Sequence, residues 1–422
     1  MKIISDLHIH SSYSRATSKD ITIQNLEKYA KIKGLTLLGT GDWTHPAWLK
    51  ILKENLDEDG SGILKTKTGF NFLLSTEISN IYSQDDKTRR IHNIILAPDF
   101  ETVEQINSWL SKRGRLDYDG RPIFGFSCVE LVENLMEISD KIMIIPSHCL
   151  TPWFSVFGSK SGFDTVEECF QDQAKHIYAL ETGLSADPSM IWRVAKWSDF
   201  TLVSFSDSHS FWPWRIGREA TIFELKEPSY ESLIKAIRTR EGLVETIEVN
   251  PSYGKYHYDG HRDCGVSLSP QETKKSGSIC PVCHRPLTVG VLHRIEELAD
   301  RPEGFIPKNA RPFHSLLPLS EIISSVIKSN PASTKVWEEY NNLINAFGSE
   351  LNVLLEVDEE RMKRVVNEKI ADMIMKVRNG KINVKPGYDG VYGELETGEQ
   401  PRKRCMTKKE SEKTPQKTLG DF

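Results

Sequence analysis

The feature of this sequence that most constrains its fold is a series of histidine and acidic residues at the ends of short apolar runs. His8 and His10 lie two residues apart in ISDLHIHSSYS, and Asp207 and His209 have the same spacing in SFSDSHS. On a strand, residues i and i+2 point to the same face, so each pair presents two side chains together. The other members of the series are Asp42, His45, Glu77, His92 and His148. A single histidine in such a position is usually structural, but the whole series predicts a metal centre formed by strand ends.

Short apolar runs alternate with helical patterns over residues 1–245. Apolar runs separated by helical segments predict parallel βα units. The units are numerous enough to close a barrel, in which functional side chains lie at the C-terminal ends of the strands. The strand candidates are Lys2–Ile4, Leu35–Leu38, Phe70–Leu74, His92–Leu96, Ile142–Ile145, Ile177–Leu180 and Thr201–Phe205. We therefore expect an α/β barrel with the candidate ligands at its mouth.

A second candidate metal site lies in residues 246–295, where glycine, proline, tyrosine, histidine and cysteine are frequent and apolar periodicity is weak. Such a segment cannot build a core of its own, which favours a structural metal. Its C-x-x-C and H-x-x-C pairs have the ligand spacing of a structural zinc site and consist of His261, Cys264, Cys280 and Cys283. Three other histidines remain alternative fourth ligands: His257, His284 and His293. A redox-active C-x-x-C is the competing interpretation.

Helical patterns return after residue 295 and predict a helical C-terminal domain over residues 296–393. Within it we expect a short strand at Leu351–Glu356 and a loop at Lys385–Gly393. Residues 394–422 are charged and poor in large apolar side chains, which predicts a disordered tail. The tail ends in a Q-x-x-L-x-x-F motif formed by Gln416, Leu419 and Phe422. The motif resembles the peptide that binds DNA sliding clamps such as PCNA.

Two segments that follow candidate ligands are rich in aromatic and basic side chains. Aromatic rings near a hydrolytic metal centre can stack on an unpaired base, and arginine or lysine can bind phosphate. The candidate nucleic-acid contacts are Arg15, Trp153, Phe154, Lys160, Trp212, Trp214, Arg215 and Tyr388. The alternative interpretation is that the rings only pack long loops against the core.

Composition limits the class of protein. The 54 lysines and arginines and 59 acidic residues give a formal net charge of -5. This charge excludes a uniformly basic nucleic-acid-coating protein but allows a local basic groove. The seven cysteines contain one closely spaced pair, which is not a disulfide framework. Because we find neither an apolar run of roughly 18 residues nor a signal peptide, we expect a cytoplasmic, nucleoid-associated protein without a membrane partner.

The motifs DLHIHS, GDWTH, PSH and SDSH resemble those of the PHP (polymerase and histidinol phosphatase) metallohydrolases. This resemblance implies a distorted seven-stranded β/α barrel that holds two to three catalytic metal ions, Zn²⁺ with Mg²⁺ or Mn²⁺ as alternatives. It implies that the first ion is held by a catalytic set consisting of His8, His10, Glu77 and Asp207. Glu77 would bridge to a second ion, whose other ligands are His92 and His148. His209 and a ligand from GDWTH, Asp42 or His45, would hold a third.

The chain departs from the PHP pattern in two places. Trp43 follows Asp42, where the family often has a histidine, and the region of Arg15 lacks the acid or histidine that often follows the first motif. Clustered ions of this kind activate a water and stabilise charge at a phosphoryl centre, so the implied substrate is a phosphate ester.

The order of barrel, zinc module, helical region with KPGYDGVYG and terminal clamp motif is similar to that of the endonuclease Q family, over essentially the whole chain. This resemblance implies a DNA repair endonuclease that cuts on the 5′ side of uracil, hypoxanthine, xanthine or an abasic site. It also implies damaged DNA and the sliding clamp as partners and one structural Zn²⁺. The alternatives are a small-molecule phosphatase similar to histidinol phosphatase and a non-enzymatic, clamp-tethered DNA-binding scaffold. The phosphatase would not need residues 250–422, and the near-complete ligand set argues against the scaffold.

Overall fold

The computed structural model describes residues 1–396 as a mixed α/β protein with a helical C-terminal region. Its strands are β1 (Lys2–Asp6), β2 (Leu37–Gly39), β3 (Leu64–Lys65), β4 (Asn71–Leu73), β5 (Ser75–Gln84), β6 (Lys87–Leu96), β7 (Ile123–Phe124), β8 (Met143–Pro146), β9 (Ala179–Glu181), β10 (Thr201–Val203), β11 (Ala220–Glu224), β12 (Leu243–Val249), β13 (Asp259–His261), β14 (Val266–Leu268), β15 (Phe313–Leu316), β16 (Asn383–Lys385) and β17 (Glu394–Glu396).

The helices of this range are α1 (Ile23–Lys33), α2 (Pro46–Asn55), α3 (Phe100–Ser111), α4 (Cys128–Ile138), α5 (Val166–Phe170), α6 (Pro188–Ile191), α7 (Tyr230–Thr239), α8 (Pro270–Lys275), α9 (Val291–Leu298), α10 (Leu319–Ile327), α11 (Thr334–Phe347), α12 (Glu350–Leu355), α13 (Glu359–Lys363) and α14 (Glu368–Arg378). Among residues 1–396, no helix has the length and apolar character needed to cross a membrane.

The largest sheet has the strand order β15-β12-β11-β1-β2-β4-β3 and is not parallel throughout. β1 pairs in parallel with β2 but antiparallel with β11, and β11 is also antiparallel to β12. The predicted parallel βα arrangement therefore holds for β1, β2 and β4 but is wrong for β11 and its neighbours. Apolar runs identify buried strands but carry no information about strand direction, because a buried run looks the same in both arrangements.

A second sheet has the order β7-β5-β6-β8 and is built on a long antiparallel hairpin. β5 and β6 pair from Ser75 opposite Leu96 to Gln84 opposite Lys87. The two residues of the turn, Asp85 and Asp86, have positive φ angles of 55° and 57°, as two-residue hairpin turns of type I′ require. Only His92–Leu96 of this hairpin is recognisable as an apolar run, so the sequence pattern predicts separate units here.

The remaining strands of the first half link the two larger sheets. β9 and β10 form a parallel pair, and the Cys149 amide, just beyond β8, donates to the carbonyl of Glu181 at 2.9 Å. Beyond β10, Ser208 forms a parallel bridge with Ile9, which follows β1. The ends of β1, β8, β9 and β10 therefore lie next to one another.

The segment predicted as a zinc module contains β13, β14 and α8. β12 crosses the predicted boundary at residue 245, and β15 of the predicted helical domain joins the largest sheet beside β12. The first three residues of the predicted disordered tail form β17, which pairs with β16. The rest of the tail lies outside the described residues.

The C-terminal region from α10 to α14 is helical, as the sequence predicts. The short strand expected at Leu351–Glu356 is wrong, because these residues form most of α12. Ser349 begins this helix, and its side chain accepts a hydrogen bond from the Asn352 amide. A short segment rich in apolar residues does not by itself distinguish a strand from a buried helix.

Candidate metal centre and DNA-binding cleft

The strands bring six of the predicted ligands to one place. His8 and His10 follow β1, His148 follows β8, and Asp207 follows β10. Glu77 lies in β5, and the hairpin register places His92 of β6 opposite Ser79. Glu77 and His92 are therefore diagonal neighbours on one face of the hairpin.

A first ligand group consists of His8, His10, Glu77 and Asp207, whose ligand atoms all lie within 4.8 Å of one another. Glu77 Oε1 lies 3.4 Å from His8 Nε2, and Glu77 Oε2 lies 3.4 Å from His10 Nε2. Asp207 Oδ1 is 3.1 Å from the same nitrogen of His10. The two histidines and Glu77 are at most 2% exposed, whereas Asp207 faces the solvent opening.

A second group uses the same carboxylate. Glu77 Oε1 lies 3.0 Å from His92 Nδ1 and 3.3 Å from His148 Nε2, and the ligand atoms of these three residues also lie within 4.8 Å of one another. Glu77 is thus common to both groups, which is the arrangement of a bridging ligand.

Buried partners orient the histidine rings. His8 Nδ1 lies 2.9 Å from Glu181, His10 Nδ1 lies 3.0 Å from Asp42, and His148 Nδ1 lies 2.9 Å from the hydroxyl of Thr151. A proton on Nδ1 of each ring leaves the lone pair of Nε2 free for a metal ion. These contacts determine which nitrogen faces the two ligand groups.

Asp42 lies behind His10 and does not belong to either ligand group of the described residues. Its Oδ2 accepts hydrogen bonds from the Ser11 amide, the Ser11 hydroxyl and the Ser14 hydroxyl, and its Oδ1 faces His10. Both oxygens are therefore occupied by protein donors. The position of Asp42 is that of a residue that orients a ligand.

Glu181 and Arg121 were missed by the sequence analysis. Glu181 is the last residue of β9, and its carboxylate also accepts from the His148 amide at 2.5 Å. Arg121 donates to Glu77 Oε2 at 2.9 Å. The position of Glu181 after the apolar run Ile177–Leu180 was a signal of the kind used for the other ligands, whereas Arg121 follows no such pattern.

The carboxylates of the centre are held in their ionised form. Burial alone would raise the pKa of Glu77, but His92, His8 and Arg121 hold it well below its usual range. Burial likewise opposes ionisation of Asp207, and His10, His8 and His209 hold the pKa of Asp207 well below its usual range. Burial lowers the pKa of His92 to about 3, although the neighbouring Glu77 opposes this shift.

His45 and His209 do not join the two groups. His45 stacks on Tyr13, with ring centres 4.4 Å apart. His209 stacks on His10 at 4.5 Å, and its Nε2 lies 3.5 Å from Asp207 Oδ1. His209 therefore lies at the edge of the first group, whereas His45 is held by an aromatic contact.

Backbone strain occurs at the turns that carry the site. Asp42, His148 and Asp207 have positive φ angles of 46°, 30° and 45°. Residues other than glycine rarely adopt such angles, and the strain accumulates where function requires a particular geometry. In this protein the angles occur where the chain turns sharply away from a strand end.

The donor set fits metal ions. His8 Nε2 and Glu77 Oε1 are buried side-chain atoms without a hydrogen-bond partner in the described structure, and they face each other. Orphaned buried polar atoms carry a substantial free-energy cost unless a ligand satisfies them. Imidazole and carboxylate donors together suit Zn²⁺, Mn²⁺ or Fe²⁺.

A separate group of four residues lies in the C-terminal half: His261, Cys264, Cys280 and Cys283. Their ligand atoms lie within 4.8 Å of one another, and Cys283 Sγ is 3.8 Å from His261 Nδ1. Of the alternative fourth ligands, His293 is held by Asp259 at 2.6 Å, and His257 stacks on Tyr258. Three thiols and one imidazole form the donor set of a structural zinc site.

The first two ligand groups open into a cleft of about 600 Å³. Trp153 and Phe154 line this cleft, and the ring of Phe154 lies 4.6 Å from that of His92. The cationic side chains of its lining are Arg90, Arg121, Arg218 and Lys255. A neighbouring groove shares Arg90 and Trp153 with the cleft and adds Lys87, Arg89 and Lys160.

The other predicted nucleic-acid contacts have different surroundings. Trp212 and Trp214 stack on each other at 5.1 Å and pack against Trp337 of α11, outside the cleft lining. Arg15 is exposed and pairs with Asp119 at 3.3 Å.

Arg215 donates to the hydroxyl of Tyr392 at 3.2 Å. Tyr388 packs on the backbone of Gly260. The predicted clamp-binding residues Gln416, Leu419 and Phe422 lie outside the described residues.

Comparison with known proteins agrees with this architecture. Residues 318–381 match the family model described as the MJ0043 C-terminal domain. The chain is 33% identical over 296 residues to the uncharacterized protein MJ0043 of Methanocaldococcus jannaschii, which covers 67% of this chain and 35% of that protein. The chain thus spans about a third of the length of this relative.

Two solved structures resemble the chain over nearly its whole length. One is the lesion-specific endonuclease PfuEndoQ from Pyrococcus furiosus, with a TM-score of 0.83, 32% identity and coverage of 94% of this chain and 95% of that chain. The other is an endonuclease Q in complex with a 27-mer duplex substrate that carries an abasic lesion at the active site. It has a TM-score of 0.85, 33% identity and coverage of 94% of this chain and 96% of that chain. Because this likeness in fold, with 32% and 33% identity, extends over 94% of this chain and at least 95% of each structure, this chain belongs to the endonuclease Q family.

Proposed function

We propose that this chain is a DNA repair endonuclease that hydrolyses the phosphodiester on the 5′ side of deaminated bases (uracil, hypoxanthine, xanthine) and of abasic sites. The observation that carries the proposal is the convergence of two ligand groups on Glu77, in a cleft whose walls are cationic and aromatic. One endonuclease Q structure holds a duplex with an abasic lesion at its active site, which supports damaged DNA as the substrate.

The catalytic residues proposed are His8, His10, Glu77 and Asp207, with His92 and His148 as ligands of a second ion. His209 is the candidate for a third ion, since its Nε2 lies near Asp207. When bound, two or three ions (Zn²⁺, with Mg²⁺ or Mn²⁺ as alternatives) would polarise the phosphodiester and activate a water. A serine or cysteine nucleophile is not needed for this chemistry.

The chain's own residues then have separate tasks. Glu181, Asp42 and Thr151 hold the rings of His8, His10 and His148 in place. Arg121 keeps Glu77 ionised and adds a positive charge at the opening, where a phosphate of the substrate would lie. Because the ligands are held before the substrate arrives, little reorganisation is required during the reaction.

The aromatic and cationic walls account for DNA recognition. Trp153 and Phe154 are half-buried rings that offer a stacking surface next to His92. Phe154 has a positive φ of 61°, an unfavourable conformation for a bulky residue that is consistent with a functional position. The groove formed by Lys87, Arg89 and Lys160 would continue the path of the strand.

We also propose a structural role for the cysteine-rich segment. One Zn²⁺ held by the group His261, Cys264, Cys280 and Cys283 would replace the apolar core that this segment lacks. The proposed barrel of the first half is supported by the bridge between Ile9 and Ser208 and by the hydrogen bond between Cys149 and Glu181. Catalytic region, zinc module and helical region would then be the functional divisions of the chain.

The sliding clamp is proposed as a partner through the motif of Gln416, Leu419 and Phe422, and the protein would act inside the cell at the nucleoid. Apolar anchors dominate the binding of such short peptides. Calorimetric titration of the intact chain and of the Phe422→Ala variant with clamp protein tests this partnership. Equal affinities would remove the clamp from the proposal.

Labelled duplexes that carry a single uracil, hypoxanthine, xanthine or abasic site, together with an undamaged duplex, test the function. The proposal expects metal-dependent cleavage of damaged duplexes only, on the 5′ side of the lesion. p-Nitrophenyl phosphate in a parallel assay tests for a small-molecule phosphatase. Rapid hydrolysis of that ester without cleavage of any damaged duplex would contradict the proposal and favour the phosphatase.

A further inference from the structure

The loop between β16 and β17 carries an aromatic residue into the metal-site cleft. Tyr392 lines this cleft although it lies 185 residues after Asp207 in the chain. The Gly387 amide donates to the carbonyl of Ser252 at 2.8 Å, and the Gly393 amide donates to the carbonyl of Tyr253 at 3.0 Å. A Cβ atom on either glycine would clash with neighbouring backbone, so the glycines of KPGYDGVYG permit the close approach that positions Tyr392.

Three cations surround the phenol. Arg215 Nη1 donates to the Tyr392 hydroxyl oxygen at 3.2 Å, and Arg218 lines the same cleft as Tyr392. The ammonium of Lys255 lies 4.7 Å from the ring centre. Because the phenol oxygen accepts from the guanidinium of Arg215, its own proton is available to a further acceptor.

No carboxylate in residues 1–396 lies within 4.0 Å of the cationic groups of Arg215, Arg218 or Lys255. Two nitrogens of Arg218 donate to the Ser206 carbonyl at 3.2 and 2.9 Å, which fixes the guanidinium without neutralising it. The carboxylate of the adjacent Glu219 is engaged elsewhere, because its Oε1 accepts a hydrogen bond from the Val249 amide at 3.3 Å. A cluster of three positive charges and a hydroxyl donor without an acidic partner is suited to an anion.

We propose that Arg215, Arg218, Lys255 and Tyr392 form a binding site for one backbone phosphate of the DNA strand in the cleft. The proposal rests on the function proposed above and extends it. Neither Glu77 nor Asp207 lies within ion-pair distance of these cations in the described residues, so the phosphate bound here is a neighbour of the one that is cleaved. Arg218 and Lys255 hold its charge, and Tyr392 donates a hydrogen bond to a non-bridging oxygen. Arg215 positions Tyr392 through its hydrogen bond to the phenol oxygen.

The test uses the full-length chain with Asp207→Ala, which prevents turnover, and an abasic duplex labelled for fluorescence anisotropy. Each phosphate near the lesion is replaced in turn by an uncharged methylphosphonate. We expect one replacement next to the cleavage position to weaken binding about tenfold. In the Lys255→Ala or Tyr392→Phe variant the same replacement should weaken binding less than about twofold, because the contact is already lost.

Lys235→Ala is the matched control, since Lys235 is an exposed cation on α7 that pairs with Glu241 at 3.0 Å. It should leave the response to every methylphosphonate unchanged. The slope of log affinity against log salt should fall by about one for Lys255→Ala and remain constant for Lys235→Ala. Melting temperatures of all variants confirm that the fold is retained.

If the loss of affinity from each methylphosphonate simply adds to the loss from Lys255→Ala or Tyr392→Phe at every position, the proposed site is wrong. The site requires one position at which the replacement no longer weakens binding by these variants. The binding result is independent of cleavage. A chain that fails to nick damaged duplex but still shows the coupling at one phosphate would contradict the repair function and support the phosphate site. A chain that nicks the damaged duplex but shows no coupling at any phosphate would support the repair function and contradict the phosphate site.

Discussion

At the scale of single residues, the candidate metal centre consists of candidate ligands and of buried residues that orient them through hydrogen bonds. Glu181 contacts both His8 Nδ1 and the His148 amide, so one carboxylate supports members of both ligand groups. Such partners fix the tautomer and the ring orientation of a ligand, and their loss typically weakens metal binding by roughly 10- to 100-fold. The free energy of metal binding is therefore distributed over more residues than the ligands themselves.

Glu181→Gln should lower the affinity of the first ligand group for Zn²⁺ by roughly 10- to 100-fold while the protein stays folded. The variant keeps the shape of the side chain but removes the charge that holds His8. Zn²⁺ titration in the presence of a competing chelator measures the change. Glu248→Gln is the matched control for the substitution itself, because Glu248 is also a buried glutamate and its hydrogen bonds go to Thr182, Ser204 and Thr246 rather than to a ligand. Equal affinities of the Glu181→Gln variant and the wild type would show that Glu181 does not support the site.

Glu248 itself predicts a pH dependence of stability. Burial raises the pKa of this carboxyl to about 8, although it accepts hydrogen bonds from Thr246, Thr182 and Ser204. A carboxyl with a raised pKa in the folded state favours folding below its unfolded-state pKa, and this contribution is lost as pH rises to about 8. Glu248→Gln should therefore gain stability relative to the wild type between pH 5 and pH 8, on the order of 2 kcal/mol. Urea unfolding at several pH values measures the difference, and a constant difference across this range would contradict the assignment.

At the scale of elements, the helical region supports the loop that follows His209. Lys33 of α1 donates to Glu350 of α12 at 2.6 Å and to the carbonyl of Pro213 at 2.9 Å. Glu350 also accepts from the Tyr340 hydroxyl at 2.8 Å. This buried network joins α1, the helical region and the loop that carries Trp212, Arg215 and Arg218. The position of this loop therefore depends on Lys33 and Glu350, which are 317 residues apart in the chain.

Lys33→Met should destabilise the protein by on the order of 3 kcal/mol, because it leaves the buried carboxylate of Glu350 without its cation. Lys31→Met on the same helix removes an exposed pair with Glu27 and should cost less than about 0.5 kcal/mol. Urea unfolding of both variants provides the comparison. Similar losses would mean that the buried pair has no special role.

Cys280→Ser should release about one equivalent of Zn²⁺ per chain and lower thermal stability, while the remaining metal stays bound. His284→Ala is the matched control, because His284 directly follows Cys283 but lies outside the group of four ligand residues. Metal analysis after dialysis measures both variants. An unchanged zinc content in Cys280→Ser would show that this cysteine is not a ligand.

Elements and ligands differ in how far the sequence predicts them. His8 and His10 were recognisable because two residues of one strand must share a face, and Cys280 and Cys283 because the motif is local. Glu181 contacts His8 across 173 residues, so no local spacing indicates the pair. The direction of β11, the addition of β15 to the largest sheet and the helix at Leu351 depend on tertiary packing, which overrides short apolar patterns. The loop of Tyr392 was expected as a loop, but its position over the cleft follows from tertiary contacts, among them those with residues 252–255.

At the scale of the whole molecule, positive charge is local. The chain has a formal net charge of -5, yet Arg90, Arg218 and Lys255 line one cleft. On a chain of net negative charge, a cationic cleft concentrates the attraction for nucleic acid at one place. The metal ligands open into the same cleft, so binding of the DNA backbone and hydrolysis are expected at a single site.

The central claim is that this cleft hydrolyses damaged DNA through metal ions held by the two groups that share Glu77. The most direct measurement is the rate of nicking of an end-labelled duplex with one abasic site, after removal of metal and stepwise addition of Zn²⁺, Mg²⁺ or Mn²⁺. The account predicts no nicking by the metal-free chain and recovery with added metal, on the 5′ side of the lesion. The Asp207→Ala variant should bind the duplex but remain inactive at every metal concentration. Nicking at the full rate by the metal-free chain, or by Asp207→Ala, would contradict the account.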